Sequence, residues 1–385
     1  MLLIIFLALM ILSSTTAIAQ DSISITKNIS IKNVANIPHE TTWQKWIWIH
    51  RYVALKITKE RPVNYDTAYI KSFYKRIVIT LPASTRFLKF NIIDLKSGSK
   101  LIFAPNLQYN IGLSISSRWA SFILNSGIKI YNGDINIKGK TAFQDYQLNL
   151  YGRKFTTDMF VQYYKGFYIR NSKSYNNYIS DKPFAIRNDV NSLHMGVSSY
   201  YILNYKHLSY GSSFSFVEQQ KKSAGSLLIG LYYSYFDASG SPSLISAPFR
   251  DSFDTLSLIR SGQTQNFGLN LGYIYTIVFL KKCYATASFV QGAGGEYLAY
   301  KRDDNSTYNQ LNGGAGKLHV RFALRYDTGR YFIGAMGMFD YFLFDAKSNS
   351  TFDYSYGKFM VYTGYRFSVL KPERKILKRL KLIDY

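Results

Sequence analysis

Phe267-Gly268-Leu269-Asn270-Leu271-Gly272-Tyr273-Ile274-Tyr275 places an apolar side chain at every odd position. Leu318-His319-Val320-Arg321-Phe322-Ala323-Leu324-Arg325-Tyr326 repeats the pattern with the apolar residues at the even positions. Successive side chains of a β-strand point to opposite faces, so each stretch carries one apolar face and one more polar face. Residues 108–115 and 144–150 alternate in the same way. The segments run for about ten residues, the length a tilted strand needs to cross a bilayer.

A soluble sandwich alternates too, and three features favour a membrane barrel over it. Candidate strands at 155–165, 224–237, 265–279 and 331–345 exceed the five or six residues typical of soluble sheets. Aromatic pairs such as Tyr163-Tyr164, Tyr232-Tyr233 and Tyr341-Phe342 gather near strand ends, where interfacial girdles form. Tight turns (Gly152-Arg153-Lys154, Lys281-Lys282, Asp327-Thr328-Gly329) mix with long polar loops at 172–191, 238–264 and 299–316. The expected fold is all-β, a transmembrane antiparallel β-barrel of about 12 strands (range roughly 10–14), with an N-terminal periplasmic arm. The candidates are 107–115, 118–125, 143–151, 155–165, 194–205, 208–218, 224–237, 265–279, 283–298, 317–327, 331–345 and 355–368. The alternation of short and long connections loses phase between 206 and 238, so this set contains one error, and 86–94 is the expected omission.

The flanks divide the chain further. Residues 1–19 read as a signal peptide: an apolar run, then Ala17-Ile18-Ala19, a small-x-small site that places cleavage after Ala19. Residues 20–85 form the expected periplasmic arm, which holds Trp43, Trp46 and Trp48, and 86–368 the barrel. The tail 369–385 is basic, with Lys371, Arg374, Lys375, Lys378, Arg379 and Lys381 against Glu373 and Asp384. The expected location is therefore the outer membrane.

Composition removes other classes. The 385 residues include 34 Tyr and 27 Phe, too many for a disordered chain, and the one Cys excludes a disulfide scaffold. The net charge of +24 with a pI near 9.7 could suit nucleic acid. Export and the scatter of Lys and Arg among strands argue against that partner. Outer-membrane lipid and lipopolysaccharide are the expected counter-ions, and biogenesis is expected to use the barrel assembly machinery.

The run from Tyr151-Gly152-Arg153-Lys154-Phe155 through Tyr163-Tyr164-Lys165-Gly166-Phe167-Tyr168 resembles a block of a Bacteroidetes outer-membrane family, domain of unknown function 4421. Asp66-Thr67-Ala68-Tyr69-Ile70, Ala104-Pro105-Asn106 with Gly112, and the run Gln219 to Ser226 resemble further blocks in the same order. The likeness spans about residues 66–368. It implies an outer-membrane β-barrel and no particular reaction.

Catalytic chemistry finds little support in the residues. The Gly clusters at 292–295 and 313–316 lack a following Lys-Ser/Thr, and the five His have no metal-ligand spacing. No cofactor, metal or catalytic residue is therefore expected. A lipid-modifying barrel enzyme would have to use His194, His207 or His319 with a nearby Ser, and no G-x-S-x-G elbow marks one. The polar strand faces are more informative. Asp145, Asp158, His319, Arg321, Arg325, Lys358 and Arg366 fall on them and are the candidate lumen-lining residues. Charges avoid the lipid face because exposure there costs about 2–4 kcal/mol at the midplane. The cations could select anions in a narrow pore, or pair with Asp145 and Asp158 and close the lumen; bulky Tyr on the same faces favours the filled lumen. The expected function is that of a structural, assembly or small-solute transport barrel. A barrel enzyme acting on lipid and an anion-selective pore lined by Arg321, Arg325 and Arg366 are the alternatives.

Overall fold

The computed structural model describes residues 64–368, apart from 74–75, 108, 118–119, 130–134 and 344–349. The expected signal peptide, the Trp-rich stretch of the arm and the basic tail lie outside the described residues. The strands are β1 (Ile70–Ser72), β2 (Arg76–Asp94), β3 (Lys100–Ala104), β4 (Asn110–Ser117), β5 (Ala120–Lys129), β6 (Ala142–Tyr151), β7 (Phe155–Ile169), β8 (Ala185–Ile202), β9 (Glu218–Gln220), β10 (Ala224–Ser239), β11 (Ile259–Phe279), β12 (Cys283–Arg302), β13 (Thr307–Asp327), β14 (Tyr331–Leu343) and β15 (Ser350–Ser368). Two short helices, α1 (Ile135–Lys138) and α2 (Tyr210–Phe214), interrupt them. Among the described residues no helix is long and apolar enough to cross a membrane.

The sheet is antiparallel and closed. From β7 to β15 the wall strands pair with their sequence neighbours, with β8 bonded to β10, and β15 returns to β2 in register from Ser350↔Asp94 to Ser368↔Arg76. From β7 round to β2 closure leaves no unpaired edge, which is what a sheet needs in lipid; between β5 and β6 the ladder is confined to Ala120–Phe122 against Leu148–Leu150. The ring between β2 and β7 is completed in two ways. At the long-loop end the short β3 joins them, pairing Phe90↔Phe103 on one side and Phe103↔Ile169 on the other. At the short-turn end β4, β5 and β6 take its place. The circuit therefore counts ten strands at one end and twelve at the other.

Alternation sorts side chains as lipid demands. Leu269 and Leu271 are 66% and 61% exposed, while Asn270 between them is 1% exposed. Across the β10–β11 pair, Leu227↔Tyr273, Ile229↔Leu271, Leu231↔Leu269 and Tyr233↔Phe267 form an unbroken outward apolar band. On β11 the band runs from Phe267 to Phe279, enough to cover the roughly nine to eleven residues of a tilted span. Above it the pattern inverts. Leu88, Phe90 and Ile92 of β2 point inward, as do Leu298 and Tyr300 of β12, and they join one buried apolar cluster with Phe103, Phe236 and Tyr354. There the strands extend past the apolar band, and the barrel takes on the apolar-in arrangement of a soluble sheet.

Two expectations need correction. Residues 208–218 are not a wall strand. Their alternation, Leu208, Tyr210, Phe214 and Phe216 separated mostly by Ser, suggests one, yet Ser209, Ser212, Ser213 and Ser215 are as buried as the apolar residues. The segment turns into the barrel as α2, its end tied by β9 pairing with β1 in a separate two-stranded sheet. The serines satisfy themselves locally: Ser212 N donates to Ser209 Oγ at 2.8 Å, and Ser215 Oγ to the Gly211 carbonyl at 3.0 Å. The missing wall strand is β2, which contains 86–94 but begins at Arg76, ahead of the expected boundary at residue 86. Pro82, which reads as a strand breaker, stands opposite Tyr362 of β15 and falls, on its other side, between the β2–β4 pairs Thr80↔Ser114 and Ala83↔Ile111, where β2 makes no pair with β4.

Candidate functional site

In the lipid-embedded part of the barrel the inward faces are polar, and low dielectric makes any unpaired charge there costly. The side chains meet this by pairing in tiers. At the short-turn end Arg366 grips Asp327 in a two-pronged ion pair, both contacts 2.7 Å and both side chains fully buried. Its Nε donates to the Phe216 carbonyl of the inward segment at 2.9 Å, and the rings of Phe73 and Phe332 stack on the guanidinium.

Arg325 forms the next tier. Its Nη1 donates to the Ser212 carbonyl and, at 2.8 Å, to Tyr284 Oη; Nη2 donates to the Ser213 carbonyl at 3.0 Å, and Nε to Tyr362 Oη at 3.0 Å. Carbonyls near a helix C-terminus lack intrahelical donors, so a cation is well placed there. Arg321 lies beyond it, 2.8 Å from Asp158 and donating to Tyr151 Oη at 3.2 Å and Tyr210 Oη at 3.0 Å. Three arginines from β13 and β15 thus hold the inward segment 203–223, which plugs the wider end.

The middle of the barrel holds two further groups. Asp340 receives His319 Nδ1 at 2.7 Å and Lys317 Nζ at 3.4 Å, and Lys317 also donates to Ser198 Oγ at 2.8 Å. Asp145 pairs with Arg86 at 3.0 Å and accepts from Gln162 at 3.3 Å, while Lys358 donates to Gln147 at 3.2 Å. His194 connects the polar and apolar halves. Its Nδ1 lies 2.7 Å from Tyr354 Oη and its Nε2 2.9 Å from Ser234 Oγ.

At the other end the β10–β11 loop folds inward as a lid, burying Leu244, Ile245, Phe249 and Phe253 in the apolar cluster. Arg187 Nη1 donates to the Leu244 carbonyl at 2.5 Å, and Lys96 reaches Asp254 at 2.5 Å across the rim. The Lys96 hydrogen bond holds the Asp254 carboxyl below its ordinary range, and Asp254 in turn raises Lys96.

All seven candidate lumen residues lie on inward faces, but in separate tiers rather than one ring. Arg321 shares its tier with Asp158. Arg325 and Arg366 meet the plug, His319 meets Asp340, and Asp145 and Lys358 sit in the middle of the barrel. Sequence reasoning missed Arg86, Lys317, Asp327 and Asp340. Lys317 is two residues from His319 on the same face of β13, so the period already pointed to it. Asp327 and Asp340 become partners only through the closed wall and its register. Of the enzyme candidates, His194 and His319 are buried. His207, in the plug segment itself, packs edge-on against Tyr69 at 4.6 Å and is not brought to either of the other two. Among the described residues no group of three or more His, Cys, Asp or Glu could hold a metal ion.

The fold and its interior define a transmembrane β-barrel with an inward plug and a lid. Residues 64–367 match the family described as Domain of unknown function (DUF4421), and the chain belongs to that family. No curated protein matches the chain. Solved structures similar in fold include the outer membrane protease OmpT from Escherichia coli, at 11% identity and TM-score 0.37, covering 77% of this chain and 98% of that one. The P. putida toluene transporter TodX is similar at 9% identity and TM-score 0.28, over 76% and 90%. The translocator domain of the autotransporter NalP from Neisseria meningitidis is similar at 7% and 0.28, over 84% and 96%.

Proposed function

We propose that the protein is an outer-membrane β-barrel without catalytic residues, closed at rest, which serves as a structural barrel and passes small solutes only when its plug moves. The observation that carries this reading is the grip of Arg325 on the Ser212 and Ser213 carbonyls inside the wall. A free lumen would leave that guanidinium hydrated; here it is committed to the plug. By the usual arrangement of outer-membrane barrels the short turns face the periplasm and the long loops the exterior, so the plug closes the periplasmic mouth and the lid the external one. Planar bilayers test it: the wild-type protein conducts at most rarely, and a variant with a loosened plug conducts. A freely conducting wild type would refute closure. Fractionation with urea-extracted membranes and heat-modifiable gel migration test the location; recovery as a soluble protein would refute it.

An anion pathway is a second reading, favoured by one detail. Arg321, Arg325 and Arg366 all contact the 203–223 segment; on its withdrawal Arg325 would face the vacated space without a carboxylate, while Arg321 and Arg366 keep Asp158 and Asp327. For a lipid-modifying enzyme the nearest arrangement is His194 beside Ser234. Its second nitrogen meets a Tyr hydroxyl instead of an acid, and both side chains are sealed from solvent. That supports the non-catalytic reading.

A further inference from the structure

The molecule has a cleft of about 750 Å³ near the long-loop rim that neither the plug nor the lid uses. Ile135, Gly139, Lys140, Lys165, Lys182 and Asn188 are among its lining residues. No acidic side chain lies among the described lining residues, and none of the three lysines has an ion pair among the described residues. Inside the barrel Arg86, Arg321 and Arg366 each face a carboxylate, whereas these three lysines share one cleft without one.

The backbone brings them together by two close approaches. Gly166 adopts φ +92° at a bulge between Lys165 and Phe167, and a Cβ there would run into the Lys140 carbonyl. Gly139, at φ +77°, lies so close to Ile186 that it too has no room for a Cβ. Thr141 locks the arrangement, its hydroxyl donating to the Gly166 carbonyl at 2.7 Å and accepting from Asn106 N at 2.8 Å. The cleft is therefore a fixed feature of the wall, and Lys140 is pressed against the strand that carries Lys165.

Height on the barrel identifies the occupant. On β7 the outward side chains run Phe155, Thr157, Met159, Val161, Tyr163 and then Lys165. Tyr163 stands at the top of the outward apolar band, the level of an interfacial girdle. Lys165 is the next residue on that face and is exposed, so it meets the headgroup layer. Lysines act as point charges for phosphate, and the Asn136 and Asn188 amides can take sugar hydroxyls. The volume falls within the roughly 300–1,000 Å³ of ligand clefts.

We infer that this cleft binds the phosphate-bearing sugar headgroup of an outer-leaflet glycolipid. The inference rests on the outer-membrane reading above. The test uses full-length protein extracted in mild detergent from membranes containing lipopolysaccharide, with bound lipid read by native mass spectrometry. The wild type is expected to retain phosphorylated glycolipid, and the Lys140→Gln/Lys165→Gln/Lys182→Gln variant to lose at least tenfold of it while keeping heat-modifiable migration. Should that variant misfold, Lys182→Gln alone, outside the strands, is expected to give a graded loss. Add-back of dephosphorylated lipopolysaccharide is expected to bind at least tenfold more weakly than the intact lipid. Equal retention by folded variant and wild type would overturn the inference. Displacement of the lipid by millimolar inorganic phosphate or a soluble sugar phosphate would also overturn it, assigning the cleft to a soluble anion. Detergent binding is read independently of fractionation, so failure of the outer-membrane reading is distinguishable from failure of this site.

Discussion

Arg325 Nη2 lies 3.0 Å from the Ser213 carbonyl oxygen, a contact between a wall strand and a segment 112 residues earlier that has turned into the barrel. Of the three arginines that hold this segment, Arg325 makes the most hydrogen bonds to its backbone.

Arg325→Ala should therefore loosen the plug. The Ser213 carbonyl loses its Arg325 donor, at a cost of about 1–3 kcal/mol when left dry, and the Ser212 carbonyl keeps only Tyr284 Oη, so the plug is expected to sample a withdrawn, hydrated position. Single-channel recording should detect frequent openings absent from the wild type. Unchanged, silent traces from a folded variant would refute the gate.

Arg366 and Asp327 should behave as a unit. Arg366→Met leaves a fully buried carboxylate without its counter-ion, held among the described residues only by the Gly329 N–H, at a cost of about 3–5 kcal/mol. Arg366→Met with Asp327→Leu removes both charges and is expected to lose markedly less. Urea unfolding in detergent, followed by aromatic fluorescence, compares the two.

The lid should respond to acid. Lys96 depresses the folded-state carboxyl of Asp254, so the contribution of this contact is fully present above the unfolded carboxylate value near 4 and is lost as pH falls through the lower folded value. Hydrogen exchange in 240–258 is expected to be unchanged from pH 8 to 5 and faster near pH 3, after correction for intrinsic rates. Asp254→Asn should exchange at pH 7 as the wild type does near pH 3.

The outward band should reject charge. Leu269→Arg is expected to destabilise the barrel by about 2–4 kcal/mol in bilayers. Gln263→Arg, outward on the same strand but beyond the apolar band, should cost much less. Folding into vesicles followed by gel shift measures both, and equal losses would place the lipid boundary elsewhere.

The part of the sequence that could be read is the part in lipid. Residues 267–275 and 318–326 are legible because lipid outside and polar tiers inside give the two strand faces opposite character. Residues 86–94 are harder, since Arg86 points inward within the polar tiers while Leu88, Phe90 and Ile92 point inward above them. The polarity of the inner face thus reverses partway along one strand. Residues 208–218 misled for another reason: walled in on every side, their alternation sorts nothing. For the site, the period exposed the cations of β13 and β15. Their partners Asp327 and Asp340, and the plug carbonyls, depend on ring closure, which no local pattern encodes.

The two circuits that complete the wall have a mechanical consequence. Diameter grows about linearly with strand number, so a ring of twelve is about a fifth wider than a ring of ten, and the barrel tapers toward its long-loop end. The plug is seated from the wide mouth, with the aromatic cluster filling the narrow one. Pushed inward, the plug meets a narrowing wall; pulled outward, it gives up its hydrogen bonds and its packing against Tyr200, Ile202, Phe332 and Tyr362. The barrel is thus a stoppered cone that resists force from its wide side and yields to traction from the same side.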